Sequence, residues 1–249
     1  MANSHIEIER VSKTFVVGGQ PLEVLAPLDL SIARGEFVCL IGPSGCGKST
    51  LLRALAGFEA PSGGSIRVSG RPVHRAGPDR GMVFQDYALF PWLTVSQNVA
   101  FGLKQRKLPQ DEIAGKVENF VKLVGLTKFA NAYPHQLSGG MKQRVAIARV
   151  LANGAEILLM DEPFGALDAM TRETLQDQLL HLWQRDNLTT LFVTHSVEEA
   201  VVLADRVLVM QPGPGRIVAD VRIEDPRPRD VSSPRFNIYR RQLSELLRH

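Results

Sequence analysis

Gly42-Pro43-Ser44-Gly45-Cys46-Gly47-Lys48-Ser49 fits the pattern G-x-x-x-x-G-K-[ST], with an apolar run before it and a helical pattern after it. Glycines at this spacing let the backbone curl so that several amide N–H groups point inward. The following helix adds the positive end of its dipole, and the product is a cradle for phosphate. Lys48 is placed to reach β and γ phosphates, and Thr50 closes the segment. Ser49 offers a hydroxyl to Mg2+, a hard cation that takes its other ligands from phosphates, water and protein oxygens. Cys46, in the loop at a helix N-terminus, is expected to carry thiolate character and to react with thiol reagents unless nucleotide protects it.

Asp161 and Glu162 follow the apolar run Ile157 to Met160. Asp161 is suited to the Mg2+ shell, and Glu162 to polarising, as a general base, the water that attacks a γ phosphate. Gln85 and His195 also end apolar runs. Gln85 brings a neutral oxygen for Mg2+ or the attacking water, and His195 a donor to a γ phosphate oxygen. Taken singly, a solvated acid pair, a glutamine and a histidine are ordinary surface residues. Placed together beside a phosphate cradle they form a candidate reaction centre.

Placing them together is the task of the surrounding elements. Phe37 to Ile41, Met82 to Phe84, Ile157 to Met160 and Leu191 to Thr194 are continuous apolar runs, the mark of strands buried on both faces. Helical patterns at Lys48 to Leu55 and Thr171 to Gln184 alternate with them, so an α/β fold with a mainly parallel sheet is expected. Gly42, Gln85, Asp161 and His195 then share the carboxyl edge, where such sheets bind ligands. From Asp86 to Asn153 the pattern turns helical, broken at Pro91, Pro109, Gly125, Pro134 and Gly139-Gly140, which reads as an inserted helical subdomain over about 87–153. Within it, Ser138-Gly139-Gly140 opens a helix, either as a second anion site or as a plain serine cap.

Gln211 to Gly215 is a turn, and Arg216 to Ile223 forms one more hairpin strand. Pro226, Pro228 and Pro234 mark a linker; Ser233 caps a helix whose Phe236, Tyr239, Leu243, Leu246 and Leu247 make an apolar stripe, giving a C-terminal segment over 226–249.

With 249 residues, 44% of them hydrophobic and 22% charged, the chain can build a large core, which excludes general disorder. Lysine and arginine number 29 against 26 acids, a balance of +3 too small and too evenly spread to imply a nucleic-acid partner. No apolar run approaches the roughly 20 residues of a spanning helix. Met1 to Arg10 has no secretory pattern, and Cys39 and Cys46 form neither a disulfide framework nor a zinc motif. A reducing, cytoplasmic compartment is expected.

In order and spacing, the Gly42 loop, Gln85, Ser138-Gly139-Gly140, Asp161-Glu162, Ala166-Leu167-Asp168 and His195 together resemble the nucleotide-binding subunit of ABC transporters, over residues 5 to 217. The resemblance implies a P-loop NTPase of the ABC ATPase type spanning 1–225, with an antiparallel β part beside the parallel core and with ATP and Mg2+ as cofactors. It also implies a head-to-tail homodimer. Ser138, Gly139 and Gly140 of one copy would close over ATP held by Gly42 to Thr50 of the other, with Asp168 at the seam. Phe15 stands where the family places an aromatic ring on adenine; core packing is the alternative. Tyr87 to Leu93 is assigned to a groove for a permease's coupling helix, again with core packing as the alternative.

Asp161 to Arg172 resembles importer subunits, and Pro91 to Val95 with Gly213 to Ile217 resemble those of the nitrate, sulfonate and taurine group. Integral membrane permease subunits, a periplasmic substrate-binding protein and a place on the cytoplasmic face of the bacterial inner membrane are thereby implied. A soluble ABC ATPase without transport, or the ATPase of an exporter, are the competing readings.

Overall fold

A computed structural model describes residues 4–248; Met1 to Asn3 of the N-terminal stretch and His249 of the C-terminal segment lie outside the described residues. β1 (Ser4–Val17) and β2 (Gln20–Ala33) form a long antiparallel hairpin. Its tip, Gly18-Gly19, has φ of 58° and 80°, which the two-residue turn requires and glycine supplies without strain. β3 (Phe37–Ile41) leads into α1 (Lys48–Ala56), and β4 (Gly63–Val68) and β5 (Arg71–Pro72) return to the hairpin. After β6 (Arg80–Val83) come three helices, α2 (Val95–Gln105), α3 (Gln110–Leu123) and α4 (Gly139–Ala152). β7 (Ile157–Asp161), α5 (Ala169–Asp186), β8 (Thr189–Thr194), α6 (Val197–Leu203), β9 (Arg206–Gln211) and β10 (Arg216–Arg222) follow, and α7 (Pro234–Leu246) ends the fold.

Two sheets result. One is antiparallel, in the order β2-β1-β4-β5; the other runs β10-β9-β3-β8-β7-β6 and is parallel except for β10, which pairs antiparallel with β9. Every residue of β3, β7 and β8 is buried, as continuous apolar runs demand. Successive side chains point to opposite faces. Phe37, Cys39 and Ile41 therefore join a core with α2 to α7, while Val38 and Leu40 join another with α1 and the antiparallel sheet.

The C-terminal segment is built into the first of these cores. Ser233 caps α7, accepting a hydrogen bond from the Phe236 amide at 3.2 Å, and Phe236 and Leu243 are fully buried. In the linker ahead of it, Arg227 donates to the Leu203 carbonyl and lies over the Trp183 ring, 4.5 Å from its centroid. Arg229 donates to the carbonyls of Val201 (2.6 Å) and Ala204 (2.7 Å). Two cations thus satisfy the free carbonyls at the negative end of α6. Burial pulls the Arg229 guanidinium down to about 10. Arg229→Met removes the donor to the Val201 and Ala204 carbonyls, so it is expected to destabilise the protein by about 2–4 kcal/mol, read as a lower urea midpoint. An unchanged midpoint would show that the linker lies outside the cooperative fold.

Candidate functional site

Because β3, β6, β7 and β8 run parallel, their carboxyl ends at Ile41, Val83, Asp161 and Thr194 share one edge of the sheet. Gly42, Gln85, Glu162 and His195 emerge there, as the alternation of strands and helices predicts. The loop after β3 curls tightly. A Cβ on Gly42 would fall 2.3 Å from the Met210 carbonyl oxygen, and Gly47 has φ of 95° with Leu25 pressed against it, so neither position accepts a side chain. Lys48 is buried inside the curl, its ammonium donating to the carbonyls of Gly42 (2.8 Å) and Pro43 (2.9 Å).

Cys46 does not behave as its position in the loop suggests. Its side chain is 1% exposed and packs in the apolar core with Leu25 and Met210. Burial pushes the thiol up, outweighing the neighbouring Lys48 charge. The expected reactive thiolate is thereby overturned: desolvation beats the helix dipole, and the sulfur is a packing atom.

At the end of β7, Asp161 is buried and accepts a 3.0 Å hydrogen bond from the Ser49 hydroxyl. Burial pushes its carboxyl up, with the Ser49 bond opposing. A hydroxyl and a carboxylate 3.0 Å apart are hard oxygen donors that suit Mg2+, whose remaining ligands come from phosphate and water. Gln85 is not joined to either of them. Its amide nitrogen instead donates to Glu162 Oε2 at 3.4 Å, and His195 Nδ1 lies 3.4 Å from the same oxygen. Glu162 is therefore flanked by both.

Glu162 reaches this place through an unusual backbone. Its φ is +47°, a left-handed conformation costing about 1–2 kcal/mol for a residue with a Cβ. Three hydrogen bonds hold it: its amide donates to Val193 O at 3.0 Å, and its carbonyl accepts from Gly165 N at 3.3 Å and Gln143 Nε2 at 3.1 Å. Strain held this way marks a site where side-chain direction matters. Gln143, 1% exposed, also accepts from the Ala166 amide at 3.2 Å. Sequence reasoning missed its role, although a glutamine on the buried stripe of α4 with Ile147 and Val150 is itself a signal.

Ser138 caps α4 through the Met141 amide at 3.3 Å; Ser138 and Gly139 are exposed, and a Cβ on Gly139 or Gly140 would approach Tyr87 and Ala166. Asp168 is exposed and caps α5 through the Thr171 amide at 2.9 Å, a bond that holds its carboxyl below the usual range. Met170 beside it is 80% exposed. Phe15 is half-buried, belongs to neither core, and lies under the Lys13 ammonium at 4.6 Å.

The Tyr87 to Leu93 segment divides. Tyr87 and Leu89 pack on the core, whereas Phe90 lines an apolar groove of about 560 Å³ with Phe58, Met82, Phe84 and Phe101. Trp92, next to Phe90, is 68% exposed. Arg149 of α4 donates to the carbonyls of Tyr87 (3.2 Å) and Ala88 (2.7 Å), pinning two residues with φ of +64° and +44°.

The sequence pattern of the ABC transporter family matches residues 25–165, more than half of the chain. An uncharacterized ABC transporter ATP-binding protein of Methanocaldococcus jannaschii is 49% identical over 243 residues, 98% of this chain and 91% of that protein. The nitrate import ATP-binding protein NrtD of Synechocystis is 47% identical over 253 residues, 98% of this chain and 95% of that one. Among solved structures, the dimeric bacterial ABC transporter cassette MJ0796 superposes with a TM-score of 0.83 at 33% identity, covering 88% of this chain and 99% of that one. Sequence, fold and the convergence of Lys48, Asp161 and Glu162 at one sheet edge make this chain a member of the ABC transporter family, an ATP-binding subunit that hydrolyses ATP.

Proposed function

We propose that this chain works as a head-to-tail homodimer whose ATP hydrolysis drives an integral membrane permease importing a small anion or an organosulfur or nitrogen solute, of the nitrate, sulfonate or taurine type. The observation that carries the reading is the placement of Glu162 Oε2 within 3.4 Å of both Gln85 and His195, on the edge shared with the Ser49–Asp161 pair. Gly42 to Thr50 wrap the phosphates, with the Lys48 ammonium exchanging its loop carbonyls for β and γ oxygens. Ser49 and Asp161 would hold Mg2+, which would neutralise phosphate charge; Gln85 orients the attacking water. Glu162 accepts the proton of the water that attacks the γ phosphorus as the bond to ADP breaks, and His195 donates to a γ oxygen. Phe15 receives the adenine ring.

Ser138, Gly139 and Gly140 complete the partner's site, and Asp168 lies at the seam. The exposure of Ser138, Gly139 and Asp168 on the single chain, and the dimeric state of the MJ0796 cassette, support this. Residues 1–225 constitute the nucleotide-binding domain with 87–153 inserted, and 226–249 the C-terminal segment. The apolar groove at Phe90 and Phe101 receives the permease, placing the chain on the cytoplasmic face of the inner membrane, with a periplasmic binding protein delivering solute from the other side. Among the described residues no helix is long and apolar enough to cross a membrane.

A deletion strain is expected to lose uptake of one labelled solute among nitrate, an aliphatic sulfonate and taurine. The wild-type gene should restore it and Glu162→Gln should not. Unimpaired uptake of all three, with no permease co-purifying, would refute the importer assignment.

A further inference from the structure

The loop Ala166 to Asp168 is tied by two separate routes to Glu162, the proposed base, and to His195, the proposed donor to a γ oxygen. The first runs through Gln143, which accepts from the Ala166 amide and donates to the Glu162 carbonyl. The second runs to His195. Arg172 of α5 donates to the Leu167 carbonyl at 3.0 Å and pairs through Nε with Glu199 Oε1 at 3.5 Å. Glu199, buried on α6, accepts from the Thr194 hydroxyl at 2.6 Å through its other oxygen. That hydroxyl in turn accepts the Ser196 amide at 3.0 Å, so the residues on either side of His195 are fixed by one carboxylate.

This second route has an incomplete joint. Arg172 Nε is buried and has no hydrogen-bond acceptor, although Glu199 Oε1 stands only 3.5 Å away. A buried donor left unpaired is unfavourable. A shift of a few tenths of an ångström in the loop, carried by the Leu167 carbonyl to the guanidinium, turns the loose ion pair into a charge-assisted hydrogen bond. The rest of the route is already closed, so this contact is where loop position is read.

We infer that Arg172 and Glu199 are positioning residues that carry the placement of the Ala166 to Asp168 loop to His195, so that the histidine is aligned when a second copy of the chain docks on that loop. The inference rests on the dimer reading given above. Both act through Thr194 and the backbone around His195. A simple staple between α5 and α6 would show the same contacts but would affect stability and not turnover.

The test uses the full-length protein. Arg172→Met and Glu199→Gln are each expected to lower kcat about tenfold with KM for ATP unchanged within about twofold, and the double variant to fall no further than the worse single one. Losses that multiply, or that appear in KM or the urea midpoint alone, overturn the link. If Arg172→Met does not fold, Thr194 carries the test: Thr194→Val should lose kcat, and Thr194→Ser, which keeps the hydroxyl, should recover it. Equal kcat for the valine and serine variants would also overturn the link. Glu162→Gln with Mg-ATP separates the two readings. If it stays monomeric, the dimer reading fails; if it dimerises while the losses at 172 and 199 multiply, only the link fails.

Discussion

Glu162→Gln is expected to lower ATP turnover by at least about a hundredfold while Mg-ATP binding persists and a dimer accumulates, because a positioned general base contributes roughly 10²–10⁴ in rate. The amide has the shape of the carboxylate, so the left-handed backbone at this position and its bonds to Val193, Gly165 and Gln143 are undisturbed. What is lost is the ability of Oε2, between Gln85 and His195, to take a proton. The phosphate cradle and the Ser49–Asp161 pair are untouched, so nucleotide still binds and still favours closure. With hydrolysis stalled, the closed state has no exit. Phosphate release and light scattering after size exclusion measure the two halves of the prediction. Normal turnover removes the base assignment; a strictly monomeric variant at saturating Mg-ATP, with the permease supplied, removes the dimer.

Ser138→Arg tests the same assembly from the opposite surface. Ser138 is exposed at the start of α4, with Tyr87 and Ala166 beside its glycines and not the Gly42 loop of its own chain. A long cation there meets the partner's nucleotide and replaces a small donor. Hydrolysis is expected to fall by about 10²–10³, the usual consequence of losing a donor to developing charge. ATP affinity of the monomer should stay within about twofold, since the cradle is in another part of the chain. Removing the cap to Met141 costs about 1 kcal/mol, too little to unfold the helix in its packed setting. Fluorescent-nucleotide titration and phosphate release separate these terms. Lost binding by the monomer would place Ser138 at its own chain's nucleotide and refute the arrangement in trans.

The parallel sheet was legible because its strands are buried on both faces, and burial on both faces demands unbroken apolar runs. Phe37 to Ile41 is found to the residue for that reason, and the ends of α1 and α4 within one residue. β1 and β2 left no such trace. β2 carries Pro21 and Pro27, β1 contains Arg10 at φ +47°, and their pairing shifts register repeatedly. Proline and bulges erase the period of two that would have announced the hairpin. That Lys48, Asp161 and Glu162 meet at one sheet edge was legible because phosphate chemistry restricts residue types at fixed spacing. Cys46 was misread because spacing does not reveal which way a side chain turns, and here it turns into the core. Gln143 and the Arg172–Glu199 pair make contacts between separate elements, and no local pattern encodes those.

The placement of the two tryptophans has a practical side. Trp92 is open to solvent beside the apolar groove, whereas Trp183 lies against the Arg227 guanidinium that fastens the linker to α6. The protein therefore carries its own pair of optical reporters. One indole watches the surface assigned to the membrane partner, the other the anchoring of the tail, and replacing either with phenylalanine isolates the emission of its counterpart without an added dye.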